Sequence, residues 1–373
     1  MKLNVSGFLS DVTNFFHGGR VLGVDIGTAT VKVAEISKRK DRFRLENYGA
    51  LRMKGYLEHP NQALQSETLK LDEIGATRVL QTLLREIGSP TKTALVSIPA
   101  FSSFVTVLDM PLLQPAETKQ AVEFQARQVI PLAPSQVSLD WSKIEETENE
   151  RGQKFQKILL IGIPNEVIEL YKRILSGAGL RVFGLELDIS ALIRAFVQPL
   201  QLRENSIDRR PTLFLDMGAL ATNMFVFEGD ALKYSGQTSR GGLYLTHGLQ
   251  ESLGISMTRA EDLKRRRGLL GSSGELELST LLLSFLDVII EEVRNVKDTY
   301  ERRFGRKVEK IVLAGGGANL SGIFQYVGEQ LRLPISPCQT FLDVEYDPAL
   351  EPVIKNLANE FAVVVGVARR YFS

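Results

Sequence analysis

Val21–Ile36 reads VLGVDIGTATVKVAEI, and Thr212–Phe227 reads TLFLDMGALATNMFVF. Each is a β-rich apolar run that reaches an aspartate, skips one residue to a glycine, and resumes as a second apolar run. The two aspartates, Asp25 and Asp216, lie about half the chain length apart. The pattern predicts a strand, a tight turn and a return strand, twice over. Asp and Gly also populate ordinary β-turns, so one such hairpin says little. Two, in matched halves, point to a duplicated core whose lobes close on one nucleotide.

The residue types in the turns suit that chemistry. Gly27 lets backbone approach a phosphate closely, Thr28 adds a hydroxyl, and Asp25 can hold a hydrated Mg²⁺. Lys32, on the return strand, can meet a phosphate as a point charge. Asp216 and Gly218 repeat the arrangement from the second half, continuing as Ala219-Leu220-Ala221 without a further glycine or acid. A third feature is Gly315-Gly316-Gly317, where the buried run Lys310–Leu313 meets bare backbone ahead of Asn319. A fourth is Ala260-Glu261-Asp262-Leu263-Lys264, which sets Glu261 and Lys264 on one helical face, either to grip a nucleoside or as a surface ion pair. The chain contains neither G-x-x-x-x-G-K-[ST] nor G-x-G-x-x-G, which excludes a Walker loop and a Rossmann fingerprint.

Composition narrows the class. At 373 residues the chain is too long for one ordinary core and predicts two domains. A formal net charge of +1 offers no global field for nucleic acid or an anionic membrane. Cys338 stands alone and the histidines (His17, His59, His247) are scattered, so neither an internal disulfide nor a zinc cluster is expected. No apolar run approaches the roughly 18 residues of a membrane span. Residues 1–19 carry Val5, Phe8, Leu9, Val12, Phe15 and Phe16 at helical spacing. This leader lacks a cleavage site and a basic polar face; it reads as a helix packed on its own domain or a partner, with a membrane-surface helix as the alternative. A cytoplasmic location follows.

Strands clustered ahead of helices, twice, make an α/β chain. The first lobe core is expected over 20–92 and 181–208, with strands at Arg20–Asp25, Thr30–Ser37 and Arg42–Met53, a polar loop over 54–71, and a helix over Leu71–Ile87. An inserted strand–strand–helix–strand–strand–helix subdomain is expected over 93–180, with Asn165 capping its last helix. The second lobe is expected over 209–373, including a smaller helical part near 240–305 and a single helix over Val353–Tyr371. Glu186 and Asp188, near the crossover between lobes, are candidates to orient an attacking water, or ordinary strand-end carboxylates.

The ordered set, an Asp-x-Gly-Thr hairpin, a second Asp-x-Gly hairpin, an Ala-Glu-x-x-Lys helix and a triple glycine, resembles the actin-like ATPase superfamily. The inserted module, Leu108–Pro111 with the helix ending at Val129-Ile130-Pro131, Gly177–Leu187 and Leu313–Asn319 resemble the PilM family of type IV pilus assembly proteins, related to FtsA. The resemblance implies an actin-like fold with ATP and Mg²⁺ between the lobes. It implies that Asp25 and Asp216 serve the metal, Thr28 and Lys32 the phosphates, Glu261 and Lys264 the nucleoside, and Gly315–Gly317 the adenosine and phosphates. Hydrolysis is then slow if it occurs at all. It further implies a scaffold at the inner membrane that grips the N-terminal tail of a PilN-like membrane protein, in a groove between the first lobe and the inserted module. Other platform components and the assembly motor ATPase are further partners; nucleic acid is not. An FtsA-like filament-forming protein is the alternative, and a small-molecule kinase of the same fold a more distant one.

Overall fold

Alternation along the two hairpins sets the layering of each lobe. The structure is a computed structural model that describes residues 19–39, 42–53, 72–149, 151–204, 209–229, 231–269 and 276–372. The leader helix expected over 1–19, apart from Gly19, and the loop expected over 54–71 lie outside these residues. β1 (Arg20–Ile26), β2 (Thr30–Arg39) and β3 (Arg42–Arg52) form an antiparallel meander. α1 (Glu73–Ile87) follows, capped by the Asp72 carboxylate, which accepts from the Ile74 N–H, and ended by Gly88 at φ 62°. β4 (Thr93–Ile98) then pairs parallel to β1.

The inserted module comes next. β5 (Phe104–Pro111), α2 (Pro115–Val129), β6 (Val137–Glu148) and β7 (Lys154–Pro164) build their own three-stranded sheet, ordered β5-β7-β6. Leu108, Met110, Val122, Ala126, Ile158 and Leu160 form its small core. This sheet is narrower than the expected 93–180, because the fully buried β4 belongs to the first lobe. α3 (Asn165–Gly177) also packs on that lobe through Tyr171, Ile174 and Leu175. Asn165 does not cap α3: Pro164 holds the cap position, and the Asn165 amide instead bonds Ser138 and the Ser135 carbonyl.

β8 (Arg181–Leu187) closes the first sheet, and α4 (Asp188–Glu204) crosses to the second half. There β9 (Thr212–Met217), β10 (Thr222–Glu228) and β11 (Ala231–Thr238) repeat the meander. After α5 (Gly242–Leu253), α6 (Met257–Arg267) and α7 (Leu276–Phe304), β12 (Lys310–Ala314) pairs parallel to β9, as β4 does to β1. α8 (Ile323–Leu331) and β13 (Ile335–Pro337) complete the half, and β14 (Val344–Glu345) returns to pair with β3. α9 (Ile354–Glu360) and α10 (Ala362–Arg369) end the chain's regular structure. The sheet orders are β14-β3-β2-β1-β4-β8 and β11-β10-β9-β12-β13, the same five-strand pattern twice.

Residue parity assigns the faces. Leu22, Val24 and Ile26 of β1 point to α1 and α3, whereas Val21 and its like-parity neighbours face the other way. In β9, Leu213, Leu215 and Met217 point to α7, whereas Phe214 joins a core shared by both lobes. Asp25 and Asp216 have the parity of Val21 and Phe214, so each ends its strand on the face turned toward the other lobe. α4 and α10 fill the space between. The Phe196 ring of α4 meets Phe214 of β9 edge-on at 4.8 Å. The helix expected over Val353–Tyr371 is broken at Phe361, and α10 turns back onto the first sheet, where Val364 overlies Gly23. The last stretch of the expected second lobe therefore packs on the first. Among the described residues no helix is long and apolar enough to cross a membrane.

Candidate functional site: two phosphate-type turns across one cleft

The two turns have the same backbone geometry. The Gly27 N–H donates to the Thr30 carbonyl at 3.1 Å, and the Gly218 N–H to the Ala221 carbonyl at 3.0 Å. Across each hairpin, Asp25 pairs with Lys32 and Asp216 with Asn223, seven residues on in both cases. Asp25 lies 3.4 Å from the Lys32 ammonium and accepts from the Ser97 hydroxyl at 2.8 Å. Asp216 has an amide instead of a cation opposite it. Burial and the Asp25 charge push its carboxyl up to about 6, against the pull of Lys32 and Asn223.

A third carboxylate completes the group. Asp188 begins α4, where both its oxygens accept from the Ala100 N–H at 3.1 Å and one from the Ile189 N–H at 2.7 Å. Burial, then the charges of Asp216 and Asp25, hold it well above the ordinary carboxylate range. Asp25, Asp188 and Asp216 thus form an oxygen-only trio, and a cation would relieve the charge strain at Asp188 and Asp216. Among the described residues no three His, Cys, Asp or Glu side chains are grouped tightly enough to hold a metal by themselves. Mg²⁺ needs less, since it keeps several waters and takes one or two carboxylates plus phosphate oxygens.

All three line a cleft of about 430 Å³ between the lobes, with Gly27, Thr28 and Lys32 on one wall and Gly218 on the other. Gly315, Gly316, Gly317 and Asn319 also line it, at the end of β12. Gly315 adopts φ 82°, and a Cβ there would sit 2.5 Å from an Asp216 carboxylate oxygen. A Cβ on Gly316 would meet nothing within 4 Å, so bare backbone faces the open space. Asn319 is held by Glu360 at 2.8 Å and by Asn359 at 2.9 Å.

Glu261 and Lys264 reach the cleft from α6, buried and paired at 2.7 Å. Lys264 also donates to the Gly242 carbonyl and the Thr246 hydroxyl, both at 2.7 Å. The pair therefore ties α6 to the start of α5, whose first N–H donates in turn to the Gly218 carbonyl. Burial pushes the Lys264 ammonium down, and Glu261 only partly offsets it. Burial also opposes ionising Glu261, but Lys264 and Thr246 outweigh it and hold that carboxyl low.

Of the residues singled out from sequence, Glu186 is the one placed elsewhere. It is absent from the cleft lining, and its carboxylate is clamped by Arg194 at 2.6 and 3.0 Å and by Arg370 at 3.4 Å. Asp188, two residues on at the start of α4, lines the cleft. Sequence reading missed Ser97, Asn223, Arg52 and Arg265. The signal for Asn223 was available, since it stands seven residues beyond Asp216 as Lys32 stands beyond Asp25. Ser97 and Arg52 come from partner strands, whereas Arg265 stands on α6 beside Lys264, one turn past Glu261.

The family model described as Type IV pilus assembly protein PilM matches residues 23–372. This chain belongs to the PilM family. Its relatives include the cell division protein FtsA of Enterococcus faecalis (strain ATCC 700802 / V583), 22% identical over 357 residues, 83% of this chain and 76% of that protein. FtsA of Enterococcus hirae is 21% identical over 354 residues, with the same coverage of 83% and 76%. Among solved structures, the PilM-PilN type IV pilus biogenesis complex aligns with a TM-score of 0.78 at 21% identity, over 95% of this chain and 98% of that one. The ethanolamine utilization protein EutJ from Carboxydothermus hydrogenoformans aligns at 0.55 and 15% identity, over 96% and 93%. MreB5 of Spiroplasma citri bound to ADP aligns at 0.51 and 11% identity, over 95% and 96%. The fold of this PilM-family chain is the actin-like ATPase fold.

Proposed function

We propose that this PilM-family protein is a cytoplasmic ATP-binding scaffold of the type IV pilus inner-membrane platform, in which nucleotide bound across the cleft sets the shape of a peptide groove. The observation that carries this is the convergence of two equivalent Asp-x-Gly turns, one from each lobe, on a single cleft floored by three glycines. The Gly27 and Gly218 turns would lie against a triphosphate, with Lys32 supplying a cation. Asp25 and Asp216 would hold a hydrated Mg²⁺, and the bare backbone of Gly315–Gly317 would accommodate the adenosine. Glu261 and Lys264 shape the nucleoside end. Bound Mg²⁺ supplies charge neutralisation for the phosphates and for the three carboxylates. Asp188, which lines the cleft with the two turn aspartates, is the carboxylate assigned to orient a water. Turnover in this reading is slow at most.

A second cavity, of about 330 Å³, lies where the module meets both lobes. Phe104–Thr106 of β5 and Val129-Ile130 form one side, Ala100 and Ile189 the floor, and Ser235–Gln237 of β11 the other side. β5 and β11 are both edge strands of their sheets, so an extended chain laid there finds main-chain partners and apolar pockets. We assign this groove to the N-terminal tail of a PilN-like membrane protein, through which the scaffold is held peripheral to the membrane; it adds β11 of the second lobe to the first-lobe and module walls expected from sequence. The test is direct binding of Mg-ATP and of a PilN-like N-terminal peptide to the purified protein. Both bind in the expected outcome, and Asp216→Ala weakens Mg-ATP by about tenfold or more. Unchanged ATP affinity in that variant would remove Asp216 from the metal site, and no binding of any nucleotide by the parent would end the reading.

A further inference from the structure

Four basic side chains line the nucleotide cleft: Lys32, Arg52, Lys264 and Arg265. Three are already engaged with carboxylates. Lys32 lies 3.4 Å from Asp25, Lys264 2.7 Å from Glu261, and Arg265 2.9 Å from the other oxygen of Glu261. Arg52, by contrast, makes no hydrogen bond or ion pair with any described residue, and it is solvent-exposed at the cleft edge. A cation at the lip of an anion-binding cleft with its donors unspent is available to the ligand.

Strand register shows where its side chain points. Arg52 ends β3 directly opposite Thr30, and Ala50 is opposite Lys32. Directly paired residues project from the same face of a sheet, and residues two apart along a strand share a face. Arg52, Thr30, Lys32 and Asp25 therefore all project from the face that looks into the cleft. Arg52 is a diagonal neighbour of Lys32, immediately beside the turn formed by Gly27 and Thr30. The register is secured on the far side by the Met53 N–H, which donates to the Ala29 carbonyl at 2.9 Å. From there the charge of Arg52 acts on Lys264 across the cleft, one of the influences that lower the Lys264 ammonium. Two cations facing each other from opposite lobes repel unless an anion lies between them.

We propose that Arg52 is a polyphosphate-binding residue, which with Lys32 grips the terminal phosphates of a nucleoside triphosphate and so sets the preference for triphosphate over monophosphate. The inference rests on the nucleotide reading of the cleft above. A guanidinium suits the role, because its planar donors bind two phosphate oxygens at once where Lys32 offers a point charge.

The experiment is competition against a fluorescent ATP analogue by ATP, ADP, AMP and adenosine, with Mg²⁺ present, using the full chain and its R52Q and R52K variants. ATP affinity falls about tenfold in R52Q, ADP less, and AMP and adenosine by less than about twofold, while R52K recovers part of the ATP loss. The ligand-free melting temperature does not fall, since Arg52 holds no described partner and its loss removes a repulsion on Lys264. The proposal is overturned if R52Q binds ATP as tightly as the parent, or if all four ligands weaken by the same factor, which is the mark of a structural role. A parent protein that binds none of them sinks the nucleotide reading and this proposal together, an outcome distinct from the first two.

Discussion

Asp216 shows how a single carboxyl reports the state of the cleft. Burial and Asp25 raise its proton affinity to about 6 from an ordinary value of 3.8. The folded chain then binds a proton more tightly than the unfolded chain, so between about pH 4 and 6 stability falls as pH rises, and the cost is fully present above 6. Asp216→Asn removes that slope. Measured by circular dichroism melts between pH 4 and 8 without ligand, the variant is more thermostable than the parent above pH 6 and the two converge toward pH 4. A parent with no excess loss of stability across that window would disprove the charge strain at this site. Glu261 works in the opposite sense: its carboxyl is held low, so its contribution is lost as pH falls below the ordinary carboxylate range. At this scale the acids and the turn glycines were legible because a turn is a local structure. Arg52 and Ser97 were not, because nothing near them in sequence says which strand they will lie beside.

The helices that cross between the lobes govern the element scale. α4 and α10 approach so closely that a Cβ on Gly366 would collide with the backbone carbonyl of Ala191, and α10 lies so close on β1 that one on Gly23 would collide with that of Val364. Backbone cannot swing aside as a side chain can. Gly366→Ala therefore costs about 2 kcal/mol or more, seen as a lower urea midpoint at unchanged slope. A midpoint within error of the parent would show that the crossing is looser than drawn. FAVVVGVA is an unbroken apolar run that marks a buried segment of the helix expected over Val353–Tyr371 but has no period of its own. It does not show the break at Phe361, which arises because the chain must leave Asn359, bonded to Asn319, before turning onto the first sheet. The Asn165 cap failed for a similar reason: its amide found better partners in Ser138 and Ser135 on the neighbouring strand and turn.

Across the whole molecule, the cleft between the lobes and the β5–β11 groove share parts of the second lobe. The second lobe contributes Asp216, Gly218 and Gly315 to the cleft and Ser235–Gln237 to the groove. It also grips the module: Lys233 donates to the Ile144 carbonyl at 2.8 Å, and Arg303 donates to the Val107 carbonyl at 2.8 Å and to the Asp109 carboxylate. Any rotation of the lobes about α4 and α10 must move both sites together. Saturating Mg-ATP is then expected to change the affinity for a PilN-like peptide, and the peptide to change ATP affinity by the same factor, about five-fold or more. Fluorescence anisotropy titrations in both directions measure it. Arg303→Ala should shrink that factor while leaving ATP affinity without peptide unaltered. Independent binding of the two ligands would separate the sites.

The chain's order of residues alone determined the duplicated strand–turn–strand pattern, the acids and glycines of both turns, the Glu261–Lys264 face and the α/β class, since each is written within a few residues or one period of an element. Tertiary structure decided which of those features share one cavity. It drew Asp188 into the acidic trio and sent Glu186 to Arg194 and Arg370. It gave β4 and α3 to the first lobe rather than the module, and set Arg52 beside the first turn. These outcomes depend on sheet register and on helices packing across a long sequence separation, where one residue's shift reverses the face a side chain meets.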